Sequence, residues 1–138
     1  MANEVELASL DLRYESFRLK QPAVEERLLG SIVQRGIEEP LEGVEVGESL
    51  VLLNGFKRYR CARRLRLATV PYSSLGQDEA AAILGLLRVS NDRALSILEQ
   101  AAFIDELKNA RRMSVAEIAT ELAVSKAWVS RRLGSWPK

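Results

Sequence analysis

The stretch LEGVEVGESLVLLNGFKRYRCARRLRLATVPY, residues 41–72, most narrows the folds open to this chain. LEGVEV (41–46) and SLVLLN (49–54) are two short runs rich in strand-forming residues, and Gly47-Glu48 between them reads as a hairpin turn. Asn54-Gly55 ends the second run. Residues 57–68 then fit a helix with Cys61, Leu65 and Ala68 on one side. Pro71 ends any helix before it, so residues 68–72 return to extended structure. Hairpin, helix and extended segment in that order make this half of the chain mixed α and β.

The flanks extend the reading. ELASLDL (6–12) alternates loosely and predicts a strand. Pro22 suits a helix start, Val24, Leu28, Leu29, Ile32 and Val33 follow at helical spacing, and Gly36 is placed to stop the helix. From residue 78 the texture changes. DEAAAILGLLRVS (78–90), RALSILEQAAFIDELKNA (93–110) and two short helical segments predict an all-helical second half. The expected fold class is α+β, a small mixed domain over 1–76 followed by a helical domain over 77–138.

Charge is sorted along the chain. Residues 1–50 carry five Lys/Arg against eleven Asp/Glu, a net of −6. Residues 51–75 carry six against none, and residues 109–138 carry six against two. Two basic patches on an otherwise acidic or balanced chain point to two anion-facing sites, against the plainer reading of two solvated helix faces. No apolar run approaches the ~18 residues of a membrane span. The acidic start, MANEVELASLDLR, is unlike a signal or transit peptide, so a cytoplasmic location is expected. Without histidine, a conventional zinc site and any histidine-based triad are excluded. Cys61 is the only cysteine, so no internal disulfide can form.

MSVAEIATELAVSKAWVSRRL (113–133) carries the most specific local signal. Ser114 with Glu117 is a capping box, Ile118, Ala119 and Leu122 form an apolar face, and Ser125 can cap a second helix. Ala123 occupies the turn, where glycine is commoner. Val129 and Leu133 face inward, and Trp128 reads as part of the core. This is a helix-turn-helix pattern over 114–133. Its second helix turns Ser125, Lys126, Ala127, Ser130, Arg131 and Arg132 toward phosphates and base edges of double-stranded DNA. The plain alternative is a packing helical hairpin.

The turn at Gly55 has the other anion-site character. Free amides at a helix start favour negative charge, whereas cations there oppose the dipole unless an anion lies between. Lys57, Arg58 and Arg60 stand in that first turn, which favours a phosphate ligand. Arg63, Arg64 and Arg66 lie later in the helix and need none.

SIVQRGIEEPL (31–41), the strand pair, LLNGFKRYRCARRLRLATVPY (52–72), SNDRALSILEQAAFIDEL (90–107) and the helix-turn-helix together resemble the ParB partition-protein family. The resemblance runs in order over nearly the whole chain. It implies a ParB/sulfiredoxin-like domain that binds CTP with Mg2+, followed by a DNA-reading domain, in a dimer that becomes a sliding clamp. By position it assigns the nucleotide to Gly55, Phe56, Lys57, Arg58, Arg60 and Asn91. It implies double-stranded DNA, a second copy of the chain and a ParA-type ATPase as partners, and a nucleoid-associated role in chromosome or plasmid maintenance.

Two departures bear on chemistry. Phe56 and Ser90 stand where the family has glutamates associated with hydrolysis and with the metal, and an apolar ring can neither bind magnesium nor order a water. The resemblance therefore implies nucleotide binding with weak or absent hydrolysis. Arg93 follows Asn91 by two positions, where the family has three. Sulfiredoxin-type repair chemistry is not expected, because its cysteine position is Phe56 and Cys61 lies on the apolar side of the helix. The alternative is a site-specific transcription regulator with a degenerate nucleotide pocket. Family members continue past this point, so the chain is expected to be a short member or a fragment. Any dimer contacts would come from Leu84 to Leu107.

Overall fold

The computed structural model describes residues 3–89 and 95–135. The chain divides into two compact units, Met1–Glu79 and Ala80–Lys138.

Unit 1 holds strands β1 (Asn3–Glu6), β2 (Leu10–Asp11), β3 (Leu41–Val46), β4 (Ser49–Asn54) and β5 (Thr69–Ser74), with helices α1 (Pro22–Arg35) and α2 (Phe56–Arg64). The sheet order is β1-β5-β3-β4-β2. β1 is antiparallel to β5, β5 parallel to β3, β3 antiparallel to β4, and β4 parallel to β2. Val51, Leu52 and Leu53 are consecutive and fully buried, so both faces of β4 are covered.

The strand expected over 6–12 is broken by a 3₁₀ turn at Leu7–Ser9. The reason is burial at a spacing of three: Leu7 and Leu10 are both in the core, whereas strict alternation would put them on opposite faces. The turn also carries the chain from one edge of the sheet to the other.

The helix expected over 57–68 stops at Arg64. Arg66 enters the left-handed region (φ 58°) while its amide donates to Arg63 O and that of Leu67 to Ala62 O. This is a Schellman closure without glycine. Ala68 O accepts from the Leu7 amide at 2.9 Å, so residue 68 is already committed to the first segment and cannot stay helical.

Helix α3 (Glu79–Val89) leads into unit 2, followed by α4 (Ile97–Asn109), α5 (Val115–Leu122) and α6 (Lys126–Gly134). α4, α5 and α6 pack on one another over Phe103, Ile104, Leu107, Ile118 and Val129, all fully buried. α4 begins at Ile97, later than the pattern from 93 predicts, because Ser96 and Glu99 form a capping box. The box predicted at Ser114 and Glu117 is present, and Ser125 caps α6 by accepting from the Trp128 amide.

Ala123 has φ 56° and closes α5 through Ala123 N–H to Thr120 O and Val124 N–H to Ala119 O. A Cβ in this region is strained, so Ala123→Gly is expected to stabilise unit 2 by about 0.5–1 kcal/mol. A higher denaturant midpoint, read by far-ultraviolet circular dichroism, checks this. An unchanged or lower midpoint refutes it.

Candidate functional site

Strand β4 delivers the chain to Asn54, and Gly55 (φ 105°) then caps α2. The first intrahelical bond runs from Tyr59 N–H to Gly55 O. A Cβ on Gly55 would lie 2.9 Å from Leu41 Cγ and 3.3 Å from Arg58 Nη2. Glycine is therefore what lets β3 and Arg58 close over this turn.

The three predicted cations have different surroundings. Arg58 reaches back to the loop before β3 and donates to Glu39 O at 2.7 Å and Pro40 O at 2.6 Å. It makes no ion pair among the described residues. Burial holds its pKa below the ordinary arginine value, against the fields of Glu39 and Glu42. Lys57 is half-buried on the same turn.

Arg60, assigned to phosphate by the sequence, is instead neutralised within the protein. Its Nε meets Glu25 at 2.7 Å and its Nη1 meets Glu15 at 3.0 Å, with the residue 8% exposed. Burial works to lower its pKa, but the hydrogen bonds to the two carboxylates outweigh it and the net shift is upward. Phe56, also assigned to the nucleotide, is 2% exposed, so its ring belongs to the core and its backbone is the part that can meet a ligand. Ser90, Asn91 and Arg93 lie outside the described residues.

A cavity of about 240 Å³ opens beside Arg58. Leu28, Ile32 and Ile37 give it an apolar floor, while Ser31, Glu38 and Glu39 supply polar atoms. An apolar floor with a few polar groups and one cation suits a flat polar ring attached to an anion. Among the described residues no group of three or more His, Cys, Asp or Glu is placed to hold a metal ion. The lining residues fit a nucleotide, and Glu38 and Glu39 are the carboxylates that would meet a magnesium ion carried on its phosphates. Cys61 is buried, and burial raises its pKa, as expected of an inert core thiol.

Arg18 is a residue that the sequence did not flag. Its Nη1 donates to Leu53 O at 2.9 Å and to Asn54 Oδ1 at 3.3 Å, and its charge acts on Arg58. Asn54 in turn donates to Glu42 at 2.9 Å. Arg18 follows Ser-Phe in a segment with no motif of its own, and only the paired strands bring it to this turn.

In unit 2, Ser125, Lys126, Ala127, Ser130 and Arg131 of α6 and its cap are exposed, while Val129 is fully buried. Arg132, also assigned to DNA by the sequence, is turned back into the unit. Its Nε donates to Gln100 Oε1 at 2.9 Å and its guanidinium lies 4.4 Å from the centre of the Trp128 ring. Trp128 is half-buried, so it is a platform at the edge of the core. No helix is long and apolar enough to cross a membrane among the described residues.

No protein-family model matches the chain. A probable chromosome-partitioning protein ParB of Coxiella burnetii is 30% identical over 122 residues, which is 88% of this chain. The chain spans 42% of that relative's length. In fold it is similar to the C-terminally truncated ParB of Caulobacter crescentus complexed with CTP-gamma-S, at TM-score 0.56 and 22% identity over 96% of this chain and 77% of that one. It is also similar to the pNOB8-like ParB N-domain, at TM-score 0.61 and 16% identity over 96% and 63%. Sulfiredoxin of Arabidopsis thaliana matches 55% of the chain and 85% of its own, at TM-score 0.51 and 24% identity. Over 88% of its own length the chain is thus similar in sequence to a ParB protein, and its fold is the one shared by the ParB and sulfiredoxin domains.

Proposed function

We propose that the chain is a DNA-binding protein of partition type whose unit 1 senses a cytidine nucleotide. The observation that carries this reading is Arg58, a half-buried cation at a helix start that lines a cavity, with carbonyl partners and no carboxylate pair. Carbonyl oxygens leave the Arg58 guanidinium without an ion pair, and a phosphate would supply one. The base would lie on Leu28, Ile32 and Ile37, and the amides of the Gly55 turn would receive the phosphates. The ParB of Caulobacter crescentus, which shares the fold, is solved with CTP-gamma-S and with the centromeric parS site, and this supports the same two ligand classes here. Hydrolysis is weak or absent in this reading, because the buried Phe56 ring offers no carboxylate to the site. The nucleotide is bound with or without magnesium, and a second copy of the chain and a ParA-type ATPase complete the set of partners.

Isothermal titration with CTP, ATP and GTP, with and without magnesium, tests the reading. Heat with CTP is expected, and silence with all three nucleotides removes the sensor. For DNA, the exposed face of α6 is the reader. Arg131→Ala should weaken binding by about 1–3 kcal/mol if the guanidinium reads a base, and less if it meets only phosphate. Gel shifts across a salt series check this, and binding indifferent to salt contradicts the electrostatic premise.

A further inference from the structure

Helix α6 spans Lys126–Gly134, and Val129 is its only fully buried residue. Apolar burial is non-directional, so it resists separation better than it resists rolling about the helix axis. Rolling matters here, because Ser125, Lys126, Ser130 and Arg131 must all point the same way to meet one groove. A directional contact is needed, and the structure has one.

Gln100 is 7% exposed, a buried polar residue on α4, the helix that also buries Ala101, Phe103 and Ile104. Both ends of its side chain are used. Nε2 donates to Leu95 O at 3.3 Å, and Oε1 accepts from Arg132 Nε at 2.9 Å. Donor and acceptor on one side chain are what this position requires, and an amide supplies them on separate atoms without charge. Arg132 then spreads over Trp128, one turn back along α6. The chain of contacts runs from the backbone before α4, through Gln100, to two residues of the DNA-facing helix.

We propose that Gln100 is a positioning residue for DNA recognition: it fixes the roll of α6 through Arg132 and touches no nucleic acid. The proposal rests on the reading of α6 as the DNA reader. It also accounts for Arg132, a cation beside Arg131 that does not face outward.

The test uses the full chain and two fluorescent duplex probes, one enriched from a random pool by the wild-type protein and the unselected pool itself. Gln100→Met keeps the shape and removes both hydrogen bonds. It should lower affinity for the enriched duplex about 3- to 10-fold. Affinity for the unselected pool, and the salt slope, should stay as in wild type, because no phosphate contact is lost. Gln100→Glu keeps the acceptor for Arg132 and should recover much of the loss. Arg132→Met should reproduce the loss, and the double variant should lose no more than either single one, as expected of two groups acting as a unit.

Circular dichroism separates these outcomes from unfolding, and should Gln100→Met fail to fold, the Arg132→Met and Gln100→Glu comparison decides alone. A shallower salt slope for Arg132→Met would make Arg132 a phosphate contact and overturn the proposal. So would wild-type discrimination in Gln100→Met. Failure of the wild-type protein to bind either probe overturns the DNA reading itself, a result distinct from both.

Discussion

Gly43→Ala should destabilise unit 1 by about 3 kcal/mol or more. Gly43 lies in β3, where the pairing with β4 shifts register between Glu42 and Gly43. A Cβ there would collide with the backbone oxygen of Val51 and come within 3.0 Å of the Tyr72 ring and hydroxyl. Neither neighbour can yield cheaply. Val51 is a fully buried strand residue, and the Tyr72 hydroxyl is held by Glu45 at 2.7 Å. Relief requires separating β3 from β4 at the centre of the sheet. Denaturant unfolding followed by circular dichroism should show unit 1 melting early while the helices of unit 2 persist. A midpoint within error of wild type would show that the strand shifts to accommodate the methyl group.

Arg58→Ala should lower nucleotide affinity by about 10- to 100-fold, the worth of one or two charge-assisted hydrogen bonds. The loss has two sources. A guanidinium that lines the cavity disappears, and the carbonyls of Glu39 and Pro40 lose the donor that ties their loop to α2. That loop walls the cavity. Arg58→Lys should recover only part of the affinity, because a single ammonium cannot reproduce the planar fork. Arg64→Ala is the control: its pair with Glu26 is exposed on both sides, and such pairs contribute little. Arg60→Ala differs again, since it leaves Glu15 and Glu25 without their partner and acts on stability. Titration calorimetry on the four variants separates these roles. Wild-type affinity in Arg58→Ala would remove Arg58 from the site.

Much of this was written locally in the sequence. The hairpin of β3 and β4, the Asn54-Gly55 turn, the stop at Gly36 and the caps at Ser114 and Ser125 each depend on neighbours within a few residues. Local chemistry is what a sequence displays. The failures are non-local. Nothing near Arg60 announces that Glu15 and Glu25 will meet it, because they arrive from the turn after β2 and from α1. The early end of α2 follows from the pairing of residue 68 with residue 7, which no period in the Arg-rich stretch encodes. Left-handed arginine at 66 is equally silent, since arginine is an ordinary helix former. Arg18 and Gln100 were invisible for the same reason: each acts through a partner more than thirty positions away.

The position of β5 has a consequence for how the molecule is made. Val5 pairs with Val70, and Leu41 with Tyr72, so the last strand of unit 1 is inserted between two earlier ones. On the ribosome, the β3–β4 hairpin can form as it emerges, but β1 must wait, unpaired, for more than sixty further residues. Synthesis that stalls before Thr69 would leave two open strand edges in the nascent chain, a state that invites aggregation or a chaperone.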